Sequence, residues 1–180
     1  MRVKAVLLIL VALIVWAGVC LLAGCGGAVA DMKVAVIGID GMEWKLVDPL
    51  LEEGRMPNLA RIINEGVRAD LRSLEPREKS PTIWTTIATG KGPLKHGIAD
   101  FLEDTDEQPL YNSLGWRARP VWDILGETGR TVGVVGWLMS WPALPVNGYN
   151  VTDRILYAPE DGHGPIPEVS YPEELADELA

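Results

Sequence analysis

Residues 33–41 read KVAVIGIDG, a continuous apolar and β-branched run that ends in an Asp-Gly pair. Such a run is typical of a strand that is buried on both faces of a parallel sheet. A second run of this kind, TVGVVGWL, occupies residues 131–138. Segments with helical spacing alternate with these runs. The alternation predicts an α/β fold, with a mostly parallel sheet and flanking helices.

The other predicted elements follow the same alternation. Residues 67–74 are predicted to form a further strand. Helices are predicted over residues 44–53, 57–64, 82–88 and 119–127, with an acidic helix over residues 172–180. Gly54 and Gly66 are plausible helix stops. Because the acidic helix is still in mid-pattern at Ala180, we expect the native chain to continue, so that the domain is truncated here.

The charge of the chain excludes one class of function. Twenty-five Asp and Glu residues against 16 Lys and Arg residues give a formal net charge of −9. Non-specific nucleic-acid binding needs a basic surface, so we expect no nucleic-acid partner. An anionic substrate would need a local source of positive charge, which a bound metal ion can supply.

The N-terminus predicts export. Arg2 and Lys4 precede an apolar run over residues 5–23, which approaches the roughly 20 residues of a membrane-spanning helix. The run ends in LAGC, with Cys25 last, and this tetrapeptide resembles a bacterial lipobox, in which the cysteine thiol takes a diacylglycerol. An uncleaved membrane helix and an ordinary cleaved signal peptide are the alternatives. Cys20 also lies in this run, so the following domain has no disulfide framework.

This pattern defines three regions. Residues 1–25 are predicted to be a lipoprotein signal peptide or membrane anchor, and residues 26–31 a short linker. Residues 32–180 are predicted to be the N-terminal part of a catalytic domain. We expect the domain to be exported and tethered to a membrane by the N-terminal lipid or helix, in the bacterial periplasm or at the cell surface.

Two residues are candidates for chemistry. Asp40 follows the first predicted strand, at the edge where open α/β sheets bind ligands, and its carboxylate suits a divalent metal. An Asp-Gly pair after a strand is also a common turn. Ser80 precedes a predicted helix, where its hydroxyl either caps the helix or attacks a phosphoryl group that the helix amides favour. Since no suitable His lies nearby in sequence, metal activation is the better account of a nucleophilic Ser80.

The histidines and tryptophans have simpler interpretations. The segment TGKGPLKHGI, residues 89–98, is rich in glycine and cations but lacks the spacing of a Walker motif. We interpret His96 as a residue that holds this loop by hydrogen bonds, and His163 as a loop residue. Trp84 and Trp122 are predicted to be core residues of helices.

Taken together and in order, several segments resemble the type I phosphodiesterase / nucleotide pyrophosphatase family of the alkaline phosphatase superfamily. The segments are VIGIDG (36–41), MPNLARIINEGV (56–67), SPTIWTTIATGKGPLKHGI (80–98), WRARPVWDILGETGRTVGVVGW (116–137) and PVNGYNV (145–151). The resemblance covers nearly everything from Lys33 to about Arg154. It implies an alkaline phosphatase-like α/β fold.

The resemblance also implies a site. In that family the Asp after the first strand binds one of two divalent metal ions, usually zinc, which implies Asp40 here. The nucleophile is a Ser or Thr at a fixed distance before the Gly of a Thr-Gly pair, and counting back from Gly90 implies Ser80. The nucleophile also contacts the metals and forms a phospho-enzyme that water hydrolyses. The implied function is metal-dependent hydrolysis of a phosphodiester or pyrophosphate bond in a phosphate-ester substrate.

Two departures leave alternatives open. Nucleotide-cleaving members carry an Asn shortly after His-Gly-Ile, and HGIADFLED (96–104) has none, which weakens nucleotides as substrates. The remaining Asp and His ligands of the family lie well downstream, so we expect them beyond Ala180. The alternatives are phosphotransfer to envelope sugars or lipids, and a non-catalytic membrane-tethered fragment. Ser80-Pro81-Thr82 does not match the Cys/Ser-x-Pro-x-Arg signature of sulfatases.

Overall fold

The computed structural model describes residues 33–102, 110–156 and 166–179. The chain divides into two units, Met1–Met42 and Glu43–Ala180. In the described part of the first unit, residues 33–39 form no regular element, and a turn follows at Asp40 and Gly41. The helices and strands of the described chain all lie in the second unit.

The predicted strands over residues 33–39 and 67–74 are wrong. Neither run pairs with another strand among the described residues. Their side chains are exposed, to 81% at Ile37 and 94% at Val67, apart from the half-buried Leu74. The reason is physical: an apolar, β-branched run becomes a strand only where a neighbouring strand pairs with its N–H and C=O groups.

The helices agree better with their sequence pattern. They are α1 (Trp44–Glu52), α2 (Pro57–Glu65), α3 (Ser80–Thr89), α4 (Pro93–His96), α5 (Val121–Glu127) and α6 (Leu175–Leu179), with short 3-10 turns at Ser113–Gly115 and Asp153–Leu156. Helix α3 begins at Ser80, earlier than predicted, and α4 was not predicted. Proline occupies the first turn of α2, α3 and α4, where its missing N–H is not needed and its fixed φ suits the helix.

A three-stranded sheet completes the α/β fold, and the predicted class is confirmed. The strands are β1 (Val132–Trp137), β2 (Gly148–Thr152) and β3 (Ser170–Tyr171), in the order β1-β2-β3. Strand β1 confirms the prediction for residues 131–138. It pairs with β2 in parallel, whereas β3 pairs with β2 antiparallel, so the sheet in the described chain is mixed. Gly133 opposes Tyr149 across β1 and β2, and a side chain at position 133 would overlap the tyrosine ring.

The core of the second unit lies between α3, the loop after α4 and the sheet. Ile98 is fully buried, and Val134 of β1 and Val151 of β2 are 5% and 6% exposed. Tryptophan rings connect these elements. The ring of Trp137, at the end of β1, meets Trp84 of α3 edge-on at 5.1 Å between centroids and Trp122 of α5 at 5.4 Å.

The predicted leader lies outside the described residues, as does His163. Within the described ranges, the helices are too short or too polar to cross a bilayer.

Replacing Ile98 tests this packing. Because the side chain is fully buried, Ile98→Ala should lower the free energy of unfolding by about 2–5 kcal/mol. Leu94→Ala is the matched control, since Leu94 is 99% exposed on α4 and its truncation should cost about 0.5 kcal/mol or less. The measurement is urea denaturation followed by tryptophan fluorescence. Equal shifts of the midpoint in the two variants would contradict the burial of Ile98.

Candidate active site

Ser80 is the first residue of α3, a ten-residue helix. The residue that precedes the helix as its N-cap is Lys79, whose side chain makes no capping hydrogen bond. Ser80 is half-buried, and within the described ranges its hydroxyl has no hydrogen-bond partner. The structure therefore does not use Ser80 as a cap, and its hydroxyl is available for chemistry.

The start of α3 also leaves backbone donors without acceptors. Pro81 has no N–H, and the first amide that closes a helical hydrogen bond is that of Ile83, which donates to the carbonyl of Lys79 at 3.1 Å. The amides of Ser80 and Thr82 meet no acceptor in the part of the chain that the structure describes. Such amides, together with the helix dipole, attract anions. A phosphoryl group beside Ser80 would meet this positive potential.

An ion pair lies beside this helix start. The ammonium of Lys79 donates a hydrogen bond to one carboxylate oxygen of Asp100, and the other oxygen accepts from the N–H of Phe101 at 2.7 Å. The hydrogen bond from Lys79, supported by that of Phe101, lowers the pKa of Asp100. The positive charge of Lys79 is therefore balanced. No sequence signal pointed to this pair, because its members are distant in the chain.

His96 supports α3 from the buried side. Its side chain is fully buried, and Nδ1 accepts a hydrogen bond from the N–H of Ile98 at 3.1 Å. Nε2 therefore carries the ring proton and donates to Oγ1 of Thr86 at 2.9 Å. Burial lowers the pKa of His96, which favours the neutral ring. These contacts agree with the interpretation of His96 as a residue that holds the loop.

The threonines of α3 have mostly structural roles. Oγ1 of Thr85 donates to the carbonyl of Pro81 at 2.8 Å, and Oγ1 of Thr89 donates to the carbonyl of Thr85 at 2.7 Å. The hydroxyl of Thr82 is buried and finds no partner among the described residues. The helix ends at Gly90, whose φ of 63° lies in the left-handed region that favours glycine. A polar helix is thus packed in the core with most of its hydroxyls bonded.

Asp40 belongs to the first unit, whereas Ser80 belongs to the second. Asp40 is exposed, and none of the described residues donates a hydrogen bond to its carboxylate. The next residue, Gly41, has a φ of 69°, which a residue with a side chain adopts less readily. The turn therefore presents a carboxylate that is unpaired within the described part of the chain.

The described residues do not by themselves form a metal site. Nowhere in residues 33–102, 110–156 and 166–179 do three or more His, Cys, Asp or Glu side chains lie close enough to hold a metal ion. Zinc takes four ligands, so neither Asp40 of the first unit nor Ser80 of the second could hold it alone. The side-chain oxygen of each is of a type that divalent metals accept.

Asp153 is a buried carboxylate that the sequence analysis missed. It directly follows strand β2. Asp40 was singled out because it follows a predicted strand, and the corresponding position after β2 was the signal that could have identified Asp153. Its Oδ2 accepts from the N–H of Met139 at 3.3 Å, and its Oδ1 accepts from the hydroxyl of Ser140 at 3.4 Å. Met139 has a φ of 68°, so the carboxylate stabilises a turn in a strained conformation after β1. Its role here is structural.

Comparison with known proteins identifies the family. The model of the family described as type I phosphodiesterase / nucleotide pyrophosphatase matches residues 34–177. The match includes helices α1 to α5, the three strands and the start of α6, as well as both candidate residues, Asp40 and Ser80. The chain therefore belongs to this family, whose activities are the hydrolysis of phosphodiester and pyrophosphate bonds and which generally depends on divalent metals. Neither the curated proteins nor the solved structures give a significant match.

The neutral state of His96 can be tested by the pH dependence of stability. Because burial lowers its pKa in the folded chain, the unfolded chain takes up the proton first as the pH falls through about 6.5. Stability should therefore fall between pH 7.5 and pH 5.5. His96→Gln should remove this component and cost about 1–3 kcal/mol at pH 7.5, where a hydrogen-bonded group is lost.

The measurement is urea denaturation of both proteins at the two pH values. The difference in stability between them should narrow at the lower pH. If both proteins lose the same stability on acidification, His96 is not the group responsible.

Proposed function

We propose that this chain provides the nucleophile of a phosphate-ester hydrolase that cleaves a phosphodiester or pyrophosphate bond. The observation that carries the proposal is the hydroxyl of Ser80, which is half-buried, unbonded within the described chain, and placed at a helix start with unpaired amides. Membership of the family supports the same reaction class. It also supports a phosphate ester as the substrate.

The proposed reaction has two steps. Oγ of Ser80 gives its proton to solvent and forms a bond to phosphorus, while the leaving oxygen departs with the electron pair of its former bond to phosphorus and takes up a proton from solvent. Water then attacks the phosphoserine, restores the hydroxyl and releases the phosphorylated product. The unpaired amides of Ser80 and Thr82 would stabilise negative charge on the phosphoryl oxygens during both attacks.

Metal dependence is part of the proposal. A serine hydroxyl is a weak nucleophile near neutral pH, and the chain has a net charge of −9. A divalent cation, with zinc the usual metal in the family, would supply both activation and positive charge. Asp40 and Ser80 are the proposed protein ligands, and the proposal requires further ligands in addition to these two.

Replacing Ser80 tests the nucleophile. Ser80→Ala should lower kcat for bis(p-nitrophenyl) phosphate on the order of 10³-fold or more, as removal of a catalytic serine does elsewhere. Ser73→Ala is the matched control, since Ser73 is exposed and outside α3, and its activity should equal that of the unmodified protein. Rapid quenching followed by mass spectrometry should detect a phosphoryl group on Ser80. Retained hydrolysis by a folded Ser80→Ala protein would contradict the role of nucleophile.

Chelation tests the metal separately. Dialysis against EDTA should abolish hydrolysis, and added Zn²⁺ should restore it. Asp40→Asn should raise the Zn²⁺ concentration needed for half-maximal recovery by about 10-fold or more, because a neutral amide is a poorer ligand than a carboxylate. Asp177→Asn, at an exposed position of α6, is the control and should recover like the unmodified protein. Hydrolysis that survives chelation would show that no metal is required.

A further inference from the structure

Helix α4 turns one side to the core and the other to solvent. His96 is fully buried, whereas Leu94 is 99% exposed. The two residues are two positions apart in the helix, which is about 200° around its axis, so their side chains lie on opposite sides. Hydrogen bonds between His96 and Thr86 of α3, and from the N–H of Ile98 to His96, fix this orientation. Leu94 therefore projects into solvent from a fixed support.

Cations accompany this leucine. Lys91, Lys95 and Arg117 are exposed, and none of them pairs with an acidic side chain among the described residues. The side chain of Arg117 packs against the end of α4, since a Cβ added to the glycine there would lie 2.9 Å from its Cδ. No Asp or Glu occurs in residues 80–99. We call Lys91, Leu94, Lys95 and Arg117 the α4 patch.

Helix α1 shows that an exposed leucine beside a lysine is not enough to make such a patch. Leu46 follows Lys45 there and is 66% exposed. However, Lys45 pairs with Glu43 at 3.4 Å, and Asp48 and Glu52 lie on the same helix. The α4 patch is instead a local excess of positive charge on a chain whose net charge is −9. Its charge is complementary to an anionic surface.

We propose that the α4 patch contacts the surface of a membrane that contains anionic lipids. Such a surface attracts cations to its phosphate headgroups, and an exposed leucine is stabilised when it enters the boundary between headgroups and acyl chains. A soluble polyanion would bind the cations but leave Leu94 in water, so the leucine favours the lipid surface. The predicted leader would keep the chain at a membrane, so a contact of a few residues would suffice. The proposal does not depend on hydrolysis by Ser80.

The first test compares the reactivity of lysines in the full chain. The protein is acetylated with sulfo-NHS-acetate beside vesicles of phosphatidylcholine, either alone or with an equal amount of phosphatidylglycerol, and mass spectrometry locates the acetyl groups. Phosphatidylglycerol should slow acetylation of Lys91 and Lys95 about fivefold or more, because the patch then faces anionic headgroups. Lys45, whose side chain is 87% exposed, is the internal control and should react at the same rate with both kinds of vesicle. Unchanged rates at Lys91 and Lys95, or equal slowing at Lys45, would overturn the proposal.

The second test separates a lipid surface from a soluble polyanion. Leu94→Ala should raise the concentration of phosphatidylglycerol vesicles needed for half-maximal protection of Lys91 and Lys95 about tenfold, because alanine buries less apolar surface. Leu46→Ala is the matched control, at a leucine that is 66% exposed on α1, and should behave like the unmodified protein. Protection that is unchanged in Leu94→Ala would show that charge alone is recognised and would contradict the contact with lipid. Equal protection by heparin, at the same concentration of negative charge, would do the same.

Discussion

The contact between Trp84 and Trp137 is the interaction on which the second unit depends. The two rings meet edge-on, and the indole N–H of Trp137 also donates to the backbone carbonyl of Trp84 at 3.3 Å. Edge-to-face aromatic pairs contribute about 0.5–1.5 kcal/mol beyond the area that they bury. Through Trp122 and Trp116 the same row of rings reaches α5 and the segment before it. One aromatic row thus connects the helix that carries Ser80 with β1 and α5.

The hydroxyls of α3 show why Ser80 differs from the threonines in the later turns of the helix. Thr85 and Thr89 bond to backbone carbonyls of the preceding turn, and Thr86 bonds to His96. A hydroxyl that is already bonded in a dry environment is poorly available to a substrate. Ser80 has no preceding helical turn to bond to, because the helix begins there. Position at the helix start therefore leaves the hydroxyls of Ser80 and Thr82 without partners among the described residues, next to amides that lack acceptors there for the same reason.

The sequence predicted those helices and strands that depend mainly on residues close together in the chain. Helical spacing, with proline at the starts and glycine at several ends, located α1, α2 and α3 to within a few residues, and the β-branched run located β1. Strand β2 was not predicted, because GYNVT is not a continuous apolar run. Residues 33–39 were wrongly predicted to form a strand, because their apolar pattern has no pairing partner in the described chain. Ser80 became a candidate because it precedes a predicted helix and because the family resemblance implies a nucleophile at that spacing from Gly90. The ion pair of Lys79 with Asp100 could not be predicted, since its members are distant in sequence.

The electrostatics of the helix start bear on how an acidic chain can act on a phosphate ester. A helix N-terminus carries the equivalent of roughly half a positive charge. Lys79 would be the obvious addition, but Asp100 already balances its charge. A phosphodiester brings a full negative charge, and the attack on phosphorus concentrates more charge on the phosphoryl oxygens. Partial charges from the Ser80 and Thr82 amides are too small to balance that on a chain of net charge −9, so the reaction proposed for Ser80 would need a cation as well.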